Sequence, residues 1–237
     1  MRRSNINNEI EIAIKNLDNH DFYLPSFGYW TLKEFQNKDL CKIENITKLM
    51  LGWDITDYGL DKFDQLGAVL FTMRNGIKDQ DIGTPYAEKL IMLKEGQRLP
   101  LHFHKDKKED IINRFGGKLL IKLYNSIEDT KEVDYNSNVA IYIDSIKYSV
   151  KPGEEIILKP GQGVTITPNL YHLFSAAKSY GDVVCGEVSS INDDLTDNYF
   201  AEEVSRFSNI IEDVEAKYIL CNEYERFLGL WRMILSI

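Results

Sequence analysis

The sequence predicts a mainly β protein, a barrel of strands with helices before it and a short helix after it. From Leu66 onward, short apolar and β-branched runs alternate with turn residues at the spacing typical of all-β sandwiches and barrels. Apolar residues recur at helical spacing only near the two ends of the chain. The 237 residues, 43% hydrophobic and 27% charged, suffice for one globular domain with appendages.

Helical patterns open the chain. Apolar residues recur at helical spacing from Ile6 to Leu17, and Ser4 can cap this first helix. The stretch from Thr31 to Glu34 resembles a capping box and predicts a short second helix. Residues 39–65 mix apolar and acidic positions with two glycines, and we expect a helix followed by loops there.

The strand patterns follow without an internal repeat or a linker. Two Lys-Pro-Gly turns, at 151–153 and 159–161, separate apolar runs, and Asp144-Ser145 suggests a hairpin. The predicted strands lie near residues 66–74, 86–95, 99–104, 117–124, 138–143, 146–150, 155–158, 163–167, 171–176 and 182–189.

We therefore expect three parts in the chain. Residues 1–65 form a helical segment packed on the barrel, residues 66–200 form the barrel, and residues 201–237 form a C-terminal extension. Within the extension, the apolar residues between Glu223 and Ile237 predict a terminal helix.

Composition excludes several classes of protein. The net charge of −9 argues against a nucleic-acid partner, because phosphate binding needs a basic surface. The three cysteines are odd in number and lack CxxC spacing, which indicates free thiols in a reducing compartment. The first residues lack an apolar signal core, and no apolar run is long enough to span a bilayer. We expect a cytoplasmic protein with no membrane partner.

Three of the four histidines, with one glutamate, form a candidate metal site. His102 and His104 are two residues apart, so in a strand their side chains point to the same face. Glu109 follows after a short polar loop, and His172 can arrive from a strand in the other half of the barrel. Three imidazoles and one carboxylate suit Mn²⁺, Fe²⁺, Co²⁺, Ni²⁺ or Zn²⁺. The fourth histidine, His20, lies outside the pattern, and we expect it to be structural or exposed.

The spacing around these residues resembles that of metal-binding cupins, which fold as a double-stranded β-helix or jelly-roll barrel. The second stretch departs from the usual cupin form, in which Pro-x-Gly precedes the histidine by two residues. Here the sequence is Pro168-Asn-Leu-Tyr-His172, and Asn169 can take the left-handed conformation that the bend needs. The first stretch comprises Gly96, His102, His104, Glu109 and Gly116.

Longer phrases resemble the D-lyxose isomerase family of cupin sugar isomerases over about residues 1–224. The sequence departs from the family at Phe115, where another glycine is usual, and after Tyr224, where the apolar tail is an extension. The phrases that carry the resemblance are 51–60, 70–76, 86–89, 100–104, 109–114, 123–126, 186–189, 192–194, 196–198, 206–207 and 220–224.

The resemblance implies an aldose–ketose isomerase that acts on free sugars. The expected pair is D-lyxose with D-xylulose, and D-mannose with D-fructose is the second. Mn²⁺ is the usual metal of the family, and a homodimer is its usual assembly.

Moving a proton between C2 and C1 of an open-chain sugar needs a base outside the metal ligands. Glu202, which follows the acidic segment 192–194, is the first candidate. Glu187 is the second, because it shares a strand face with Cys185 and Ser189. For either carboxylate, an exposed or ion-paired structural role is the alternative. We predict that Glu202→Gln keeps the metal and loses turnover. A metal-assisted hydride shift stays open as the alternative mechanism.

Five further residues are candidates for contacts with the sugar. Lys89 can bind a sugar oxygen or stabilise developing negative charge, and it is therefore also a catalytic candidate. Asp194 and Arg206 can hydrogen-bond hydroxyl groups, although Arg206 suits a structural ion pair equally well. Trp53 and Tyr171 can stack on the sugar, although aromatic residues are more often part of a core.

Three other functions fit the same metal ligands. A sugar-phosphate isomerase would need a phosphate cradle of backbone amides with lysine or arginine, and the sequence has no Gly-rich loop before a helix. A cupin oxygenase would activate O₂ at Fe²⁺. A non-catalytic sugar-binding cupin would keep the metal as a structural element.

Overall fold

The computed structural model describes residues 1–194 and 196–229, and strands make up most of its regular structure. The helices are α1 (Arg3–Asn19), α2 (Leu32–Gln36), α3 (Glu44–Lys48) and α4 (Tyr224–Leu228). The strands are β1 (Gly52–Thr56), β2 (Ala68–Gly76), β3 (Gly83–Leu93), β4 (His102–His104), β5 (Glu109–Gly116), β6 (Leu119–Ser126), β7 (Val133–Asp134), β8 (Val139–Ile143), β9 (Ile146–Val150), β10 (Ile156–Leu158), β11 (Gly163–Ile166), β12 (Leu170–Ala176), β13 (Val183–Ser189) and β14 (Asn198–Phe200).

Two antiparallel sheets face each other across an apolar core. One sheet has the order β1-β2-β3-β13-β5-β11-β8-β9, and the other has the order β10-β6-β12-β4-β14, with β7 beside β6. Leu70, Ile91, Ile121 and Phe174 are among the buried residues between them. The mainly β, cupin-type barrel with N-terminal helices and a short C-terminal helix is therefore confirmed, and every predicted strand matches an observed one.

The first helix covers the outer face of the eight-stranded sheet. Ile6, Ile10 and Leu17 are fully buried in a second apolar cluster that includes Phe71 of β2. The helix begins at Arg3, so the expectation that Ser4 caps it was wrong. The Ser4 hydroxyl donates instead to Asp213 Oδ2 at 2.7 Å, which ties the first turn to the C-terminal segment.

The second helix begins as the capping box predicts. Thr31 Oγ1 accepts a hydrogen bond from Glu34 N at 3.3 Å, and Glu34 Oε2 accepts one from Thr31 N at 2.8 Å. In the region 39–65, α3 confirms the expected helix, but β1 replaces part of the expected loop. Every residue of β1 is buried, and Asp54 interrupts its apolar pattern, so the usual signal of a half-exposed strand is missing.

The pattern also missed β5, for a related reason. The buried positions of β5 include Glu109 and Asn113 beside Ile111, so polar residues occupy the face that alternation would make apolar. The Asn113 side-chain amide donates to Gly117 O and Leu158 O at 3.0 Å each, which compensates its burial. The predicted pattern therefore failed where the inner face carries buried polar side chains.

Phe115, at a position where the family usually has a glycine, packs the end of α1 against the barrel. Its ring stacks on His20 with a centroid distance of 4.3 Å and lies near Phe22. His20 is exposed and lies away from the other histidines, as expected. The departure thus affects the contact between the end of α1 and β5.

The C-terminal segment returns along the barrel. Leu220 forms a bridge with Trp53 of β1, and α4 confirms the start of the expected terminal helix. The rest of that predicted helix, residues 230–237, lies outside the described residues. The division at 65 and 200 stays a prediction. Among the residues described, no helix is long and apolar enough to cross a membrane.

Candidate metal centre and active site

Strands β4 and β12 bring the three histidines together. They pair with His102 opposite His172, and His104 lies on the same face of β4 as His102. Phe103, between them, points to the other face and packs on Tyr171. The three histidines are buried, and their candidate ligand atoms lie within 4.8 Å of one another.

The turn that precedes His172 has the conformation that the sequence suggests. Asn169 takes a left-handed conformation with φ of 62°, which replaces the glycine of the usual form. Its backbone N–H donates to His104 O at 2.8 Å. The bend before β12 is therefore held directly against the strand that carries the other two histidines.

Glu109, at the start of β5, completes the group. Its Oε1 lies 3.2 Å from His172 Nε2, and its Oε2 lies 3.5 Å from His104 Nε2. The side chain is almost fully buried. The structure therefore brings all four predicted ligands to one place, from three different strands.

The hydrogen bonds of His102 and His172 define which ring nitrogen carries the proton. Each Nδ1 lies 2.9 Å from a backbone carbonyl oxygen, that of Pro100 or of Leu170. Because a carbonyl only accepts, each Nδ1 must donate. Burial lowers the pKa of both rings, that of His172 to about 4, so both are neutral at pH 7. Their Nε2 atoms therefore carry lone pairs.

These lone pairs face one another, and this geometry fits a cation. His102 Nε2 and His172 Nε2 are 3.0 Å apart, a repulsive contact between two unprotonated nitrogens. Within the described residues, Glu109 Oε1, which lies 3.2 Å from His172 Nε2, has no hydrogen-bond partner. Buried polar atoms are normally paired, so acceptor atoms that converge in this way could hold a cation. Three imidazoles and a carboxylate suit a divalent transition metal.

Lys107 is a site residue that the sequence did not reveal. Its Nζ is buried and lies 2.8 Å from both Glu109 Oε2 and Glu187 Oε1. Burial alone would lower the pKa of Lys107, but the two carboxylates raise it above its usual value. Burial would likewise raise the pKa of Glu109, but Lys107 and the histidines lower it well below its usual range. The lysine therefore stays charged beside two ionised glutamates.

Glu187 lies on β13 beside the candidate ligands. Burial opposes its ionisation, but Lys107 and then Lys89 lower its pKa below the ordinary value. Lys89 is the residue opposite Glu187 on β3. Asn192 Oδ1 accepts hydrogen bonds from both lysines at 3.3 Å. Glu187 is thus an ionised, buried carboxylate in a cationic surrounding.

A second charged group lies on the other side of Lys89. Arg206 Nη2 donates to Asp194 Oδ2 at 2.9 Å, and Arg206 Nη1 lies 2.7 Å from Asp54 Oδ2. Burial raises the pKa of Asp194, but Arg206 and Lys89 lower it well below its usual range. Asp54 reaches this group from β1, and no sequence pattern indicated its role, because β1 itself was not expected.

These residues surround a cavity of about 40 Å³ inside the barrel. Four of the predicted catalytic or substrate contacts line it, together with Lys107 and three of the candidate ligands. The residues concerned are Lys89, Glu187, Asp194, Arg206, Lys107, His102, His104 and Glu109. Apolar side chains of the core, among them Leu70 and Phe174, also line the cavity.

Three of the predicted catalytic or substrate-contact residues are not among those lining this cavity. Glu202 has a side chain 43% exposed and pairs with Arg98 at 3.2 Å. Trp53 points toward the N-terminal helices, where its Nε1 donates to Gly28 O at 2.8 Å. Tyr171 lies on the opposite face of β12 from His172, because adjacent strand residues alternate, and its hydroxyl donates to Lys131 O.

Comparisons with known proteins agree with this architecture. The chain is 40% identical to a D-lyxose/D-mannose isomerase of Escherichia coli O157:H7 over 228 residues, 96% of this chain and 100% of that protein. It is 38% identical to a protein of the same name from Serratia proteamaculans over 230 residues, 97% of this chain and 100% of that protein.

Solved structures with a similar fold include the L-ribose isomerase of Acinetobacter sp. DL28 in complex with L-ribose. It aligns with a TM-score of 0.59 over 89% of this chain and 98% of its own, at 14% identity. The L-ribose isomerase of Cellulomonas parahominis without ligand aligns with a TM-score of 0.53, covering 85% of this chain and 95% of its own, at 12% identity. At these identities the similarity concerns the fold alone.

The sequence profile of the D-lyxose isomerase family matches residues 1–224. This range agrees with the extent of the resemblance carried by the sequence phrases. The chain belongs to the D-lyxose isomerase family.

Proposed function

We propose that the protein is a metal-dependent aldose–ketose isomerase that interconverts D-lyxose and D-xylulose, and D-mannose and D-fructose, by proton transfer through a cis-enediol. The observation that carries the proposal is the buried group of His102, His104, His172 and Glu109 next to the ionised Glu187. The relatives named D-lyxose/D-mannose isomerase support the choice of sugars.

The four residues would hold one divalent cation, with Mn²⁺ first and Zn²⁺, Co²⁺, Fe²⁺ or Ni²⁺ as the other candidates. Such an ion supplies Lewis-acid polarisation of the substrate carbonyl. The carbonyls that accept from Nδ1 of His102 and His172 orient both rings, so that each Nε2 faces the centre. Lys107 orients Glu109 in the same way through its ion pair.

Glu187 is our choice for the base that moves the proton between C2 and C1. It is buried, ionised and lines the cavity, so it can take the C2 proton and return it to C1. Glu202, the first choice from the sequence, is exposed and paired with Arg98, which makes it the less suitable candidate. Lys107 fixes the Glu187 carboxylate through the 2.8 Å contact.

Lys89, Asp194 and Arg206 are our candidates for contacts with the sugar hydroxyls. Their charged groups line the cavity, and each can donate or accept hydrogen bonds from a polyol. Each cation of this set is already paired: Lys89 lies 3.6 Å from Asp194, and Arg206 contacts Asp194 and Asp54. This pairing favours a neutral sugar over a sugar phosphate.

The decisive experiment removes and restores the metal. The protein is stripped with a chelator, Mn²⁺ is added back, and pentoses and hexoses are screened without oxygen for ketose formation. We expect activity on D-lyxose and D-mannose only with the metal. Activity only with O₂ and Fe²⁺ would indicate an oxygenase, and sugar binding without product would indicate a binding protein.

Solvent deuterium separates the two isomerisation mechanisms. Proton transfer through Glu187 exchanges with solvent, so product formed in D₂O would carry deuterium at C1, whereas a hydride shift would not incorporate it. We expect incorporation, measured by NMR or mass spectrometry. The family also suggests a homodimer, and light scattering coupled to size-exclusion chromatography would measure the assembly.

A further inference from the structure

The cavity at the candidate metal centre is too small for the whole substrate. Its volume of about 40 Å³ has room for an ion and about one or two water molecules, not for a five-carbon chain. Residues of the apolar core, Leu70, Ile91 and Phe174, form part of its wall. A chain of hydroxyl groups cannot extend into that wall without losing its hydrogen bonds. The chain must leave the centre through the polar wall.

A larger cavity lies beyond that polar wall. It has a volume of about 750 Å³, within the range of about 300–1,000 Å³ common for small-molecule sites. Lys107 and Asp194 line both cavities, so they stand at the boundary between them. The segments that form the outer cavity include those after β2, β4 and β13, which places it at one end of the barrel.

Asn192, at this boundary, is held in place by hydrogen bonds from its backbone to Asn75. The Asn75 side chain donates to Asn192 O at 3.0 Å and accepts from Asn192 N at 3.0 Å, which holds the Asn192 backbone on β2. The Asn192 side-chain oxygen then faces the ammonium groups of Lys89 and Lys107. Hydrogen-bond donors and acceptors therefore alternate along this boundary, which suits the hydroxyl groups of a polyol.

The charge of the outer cavity is balanced. Among the described residues, four lysines and four aspartates line it. Lys78 and Asp106, on its rim, lie 3.6 Å apart. A lining with balanced charges suits neutral hydroxyl groups better than a phosphate dianion, which needs an excess of positive charge.

We infer that the outer cavity is the subsite for the distal carbons of the sugar, so that it, and not the metal centre, determines the chain length accepted. C1 and C2 lie at the metal ligands, the chain passes Lys107 and Asp194, and the carbons from C4 onward occupy the outer cavity. This inference rests on the proposed isomerase function. It explains how one centre serves D-lyxose and D-mannose, which differ by one distal CHOH unit.

The test narrows the outer cavity without touching the centre. Ile77, which is half-buried, lines the outer cavity only, and so does the exposed Lys48 on α3. The two cavity variants are Ile77→Trp and Lys48→Trp. The control is Ile157→Trp, the same type of change at a position on β10 that lines neither cavity. For each Mn²⁺-loaded protein, kcat/KM is measured on D-lyxose and D-mannose, with circular dichroism as the check of folding.

We expect the two cavity variants to lower kcat/KM for D-mannose about tenfold more than for D-lyxose. A pocket that has no room for one extra carbon unit discriminates between two substrates on about this scale. Ile157→Trp should leave the ratio unchanged. Because Lys48 is exposed, its variant remains informative if Ile77→Trp does not fold. An unchanged ratio in a folded, active cavity variant would overturn the subsite. A wild-type protein inactive on both sugars would overturn the proposed function, and the subsite with it.

Discussion

Two groups of polar side chains, one around the buried Arg3 and one around the buried histidines, differ in how completely their atoms are hydrogen-bonded. In the first, Arg3 donates from Nε and Nη2 to Glu212 at 2.9 and 2.8 Å, and from Nη1 to Glu223 at 2.9 Å. In the second, His102 and His172 place two lone pairs 3.0 Å apart, and Glu109 Oε1 has no hydrogen-bond partner among the described residues.

The difference separates a structural group from a functional one. The Arg3 group is complete, and its effect is to hold α1 against the C-terminal segment. A cation bound among the histidines would relieve the repulsion between their lone pairs. In this protein the converging lone pairs mark the candidate metal site, whereas the paired Arg3 links two segments of the chain.

The largest expected effect comes from removing one candidate ligand. His102→Ala should abolish metal binding and lower turnover at least about 10³-fold, or about 4 kcal/mol in activation free energy. Metal content by mass spectrometry and D-lyxose isomerisation would measure both. His20→Ala, which changes an exposed histidine outside the group, is the control and should behave as wild type. A His102→Ala protein that keeps its metal would exclude the assigned ligand set.

Next in size is the loss of the base. Glu187→Gln should keep the metal and lower kcat by about 10²–10⁴-fold, because the amide cannot accept the proton. Glu202→Gln should stay near wild type, since its carboxylate is exposed and paired with Arg98. The reverse result would restore Glu202 as the base, as the sequence alone suggested.

The structural group should respond in the opposite way. Arg3→Met leaves Glu223 buried without its partner and should cost about 3–5 kcal/mol in the free energy of unfolding, while the metal content stays unchanged. Denaturant unfolding and metal analysis test both parts. Metal loss from the folded variant would show that the two groups are coupled.

The same group predicts how stability depends on pH. Hydrogen bonding to Arg3 lowers the pKa of Glu212 from 4.5 to about 2. A depressed carboxylate pKa stabilises the fold above pH 4.5, and this contribution is lost as the pH falls toward 2. Arg3→Met should reduce this loss of stability between the two pH values, with Arg226 keeping part of it through its own hydrogen bond to Glu212. Unfolding curves over that pH range would measure the reduction.

The smallest expected effect on turnover concerns Lys107. Its charge lowers the pKa of Glu187 against the effect of burial, so Lys107→Met should raise that pKa. Glu187 would then take up a proton at a higher pH, and the acid limb of the kcat profile should move upward. The profile is measured at saturating Mn²⁺, because Lys107 also contacts Glu109. If the acid limb of the kcat profile does not move, a group other than Glu187 controls it.

The barrel could be predicted because most of its strands carry local patterns. Their apolar runs and turn residues are visible within about ten residues of sequence. Four strands escaped prediction: β5 has buried polar residues such as Asn113, β1 is buried along its whole length, and β7 and β14 are only two and three residues long. Their environment is created by neighbours that are distant in sequence.

The metal ligands were likewise a local prediction, whereas the residues around them were not. Lys107 stands in the charged run from Lys105 to Asp110, where a solvated loop is the ordinary expectation. Its burial depends on Glu187, which reaches it from β13. Asp54 and Arg206 meet only because β1 and the C-terminal segment lie side by side.

Local sequence patterns were enough to predict the family and the barrel. They also identified the candidate metal ligands, because the two-residue spacing of His102 and His104 and the distance to Glu109 belong to one short stretch of chain. Which carboxylate lies beside these ligands, and which lysine is buried with it, depends on the folded chain. The physical reason is that a charged side chain is buried or exposed, and ionised or neutral, according to the strands that approach it from elsewhere in the chain.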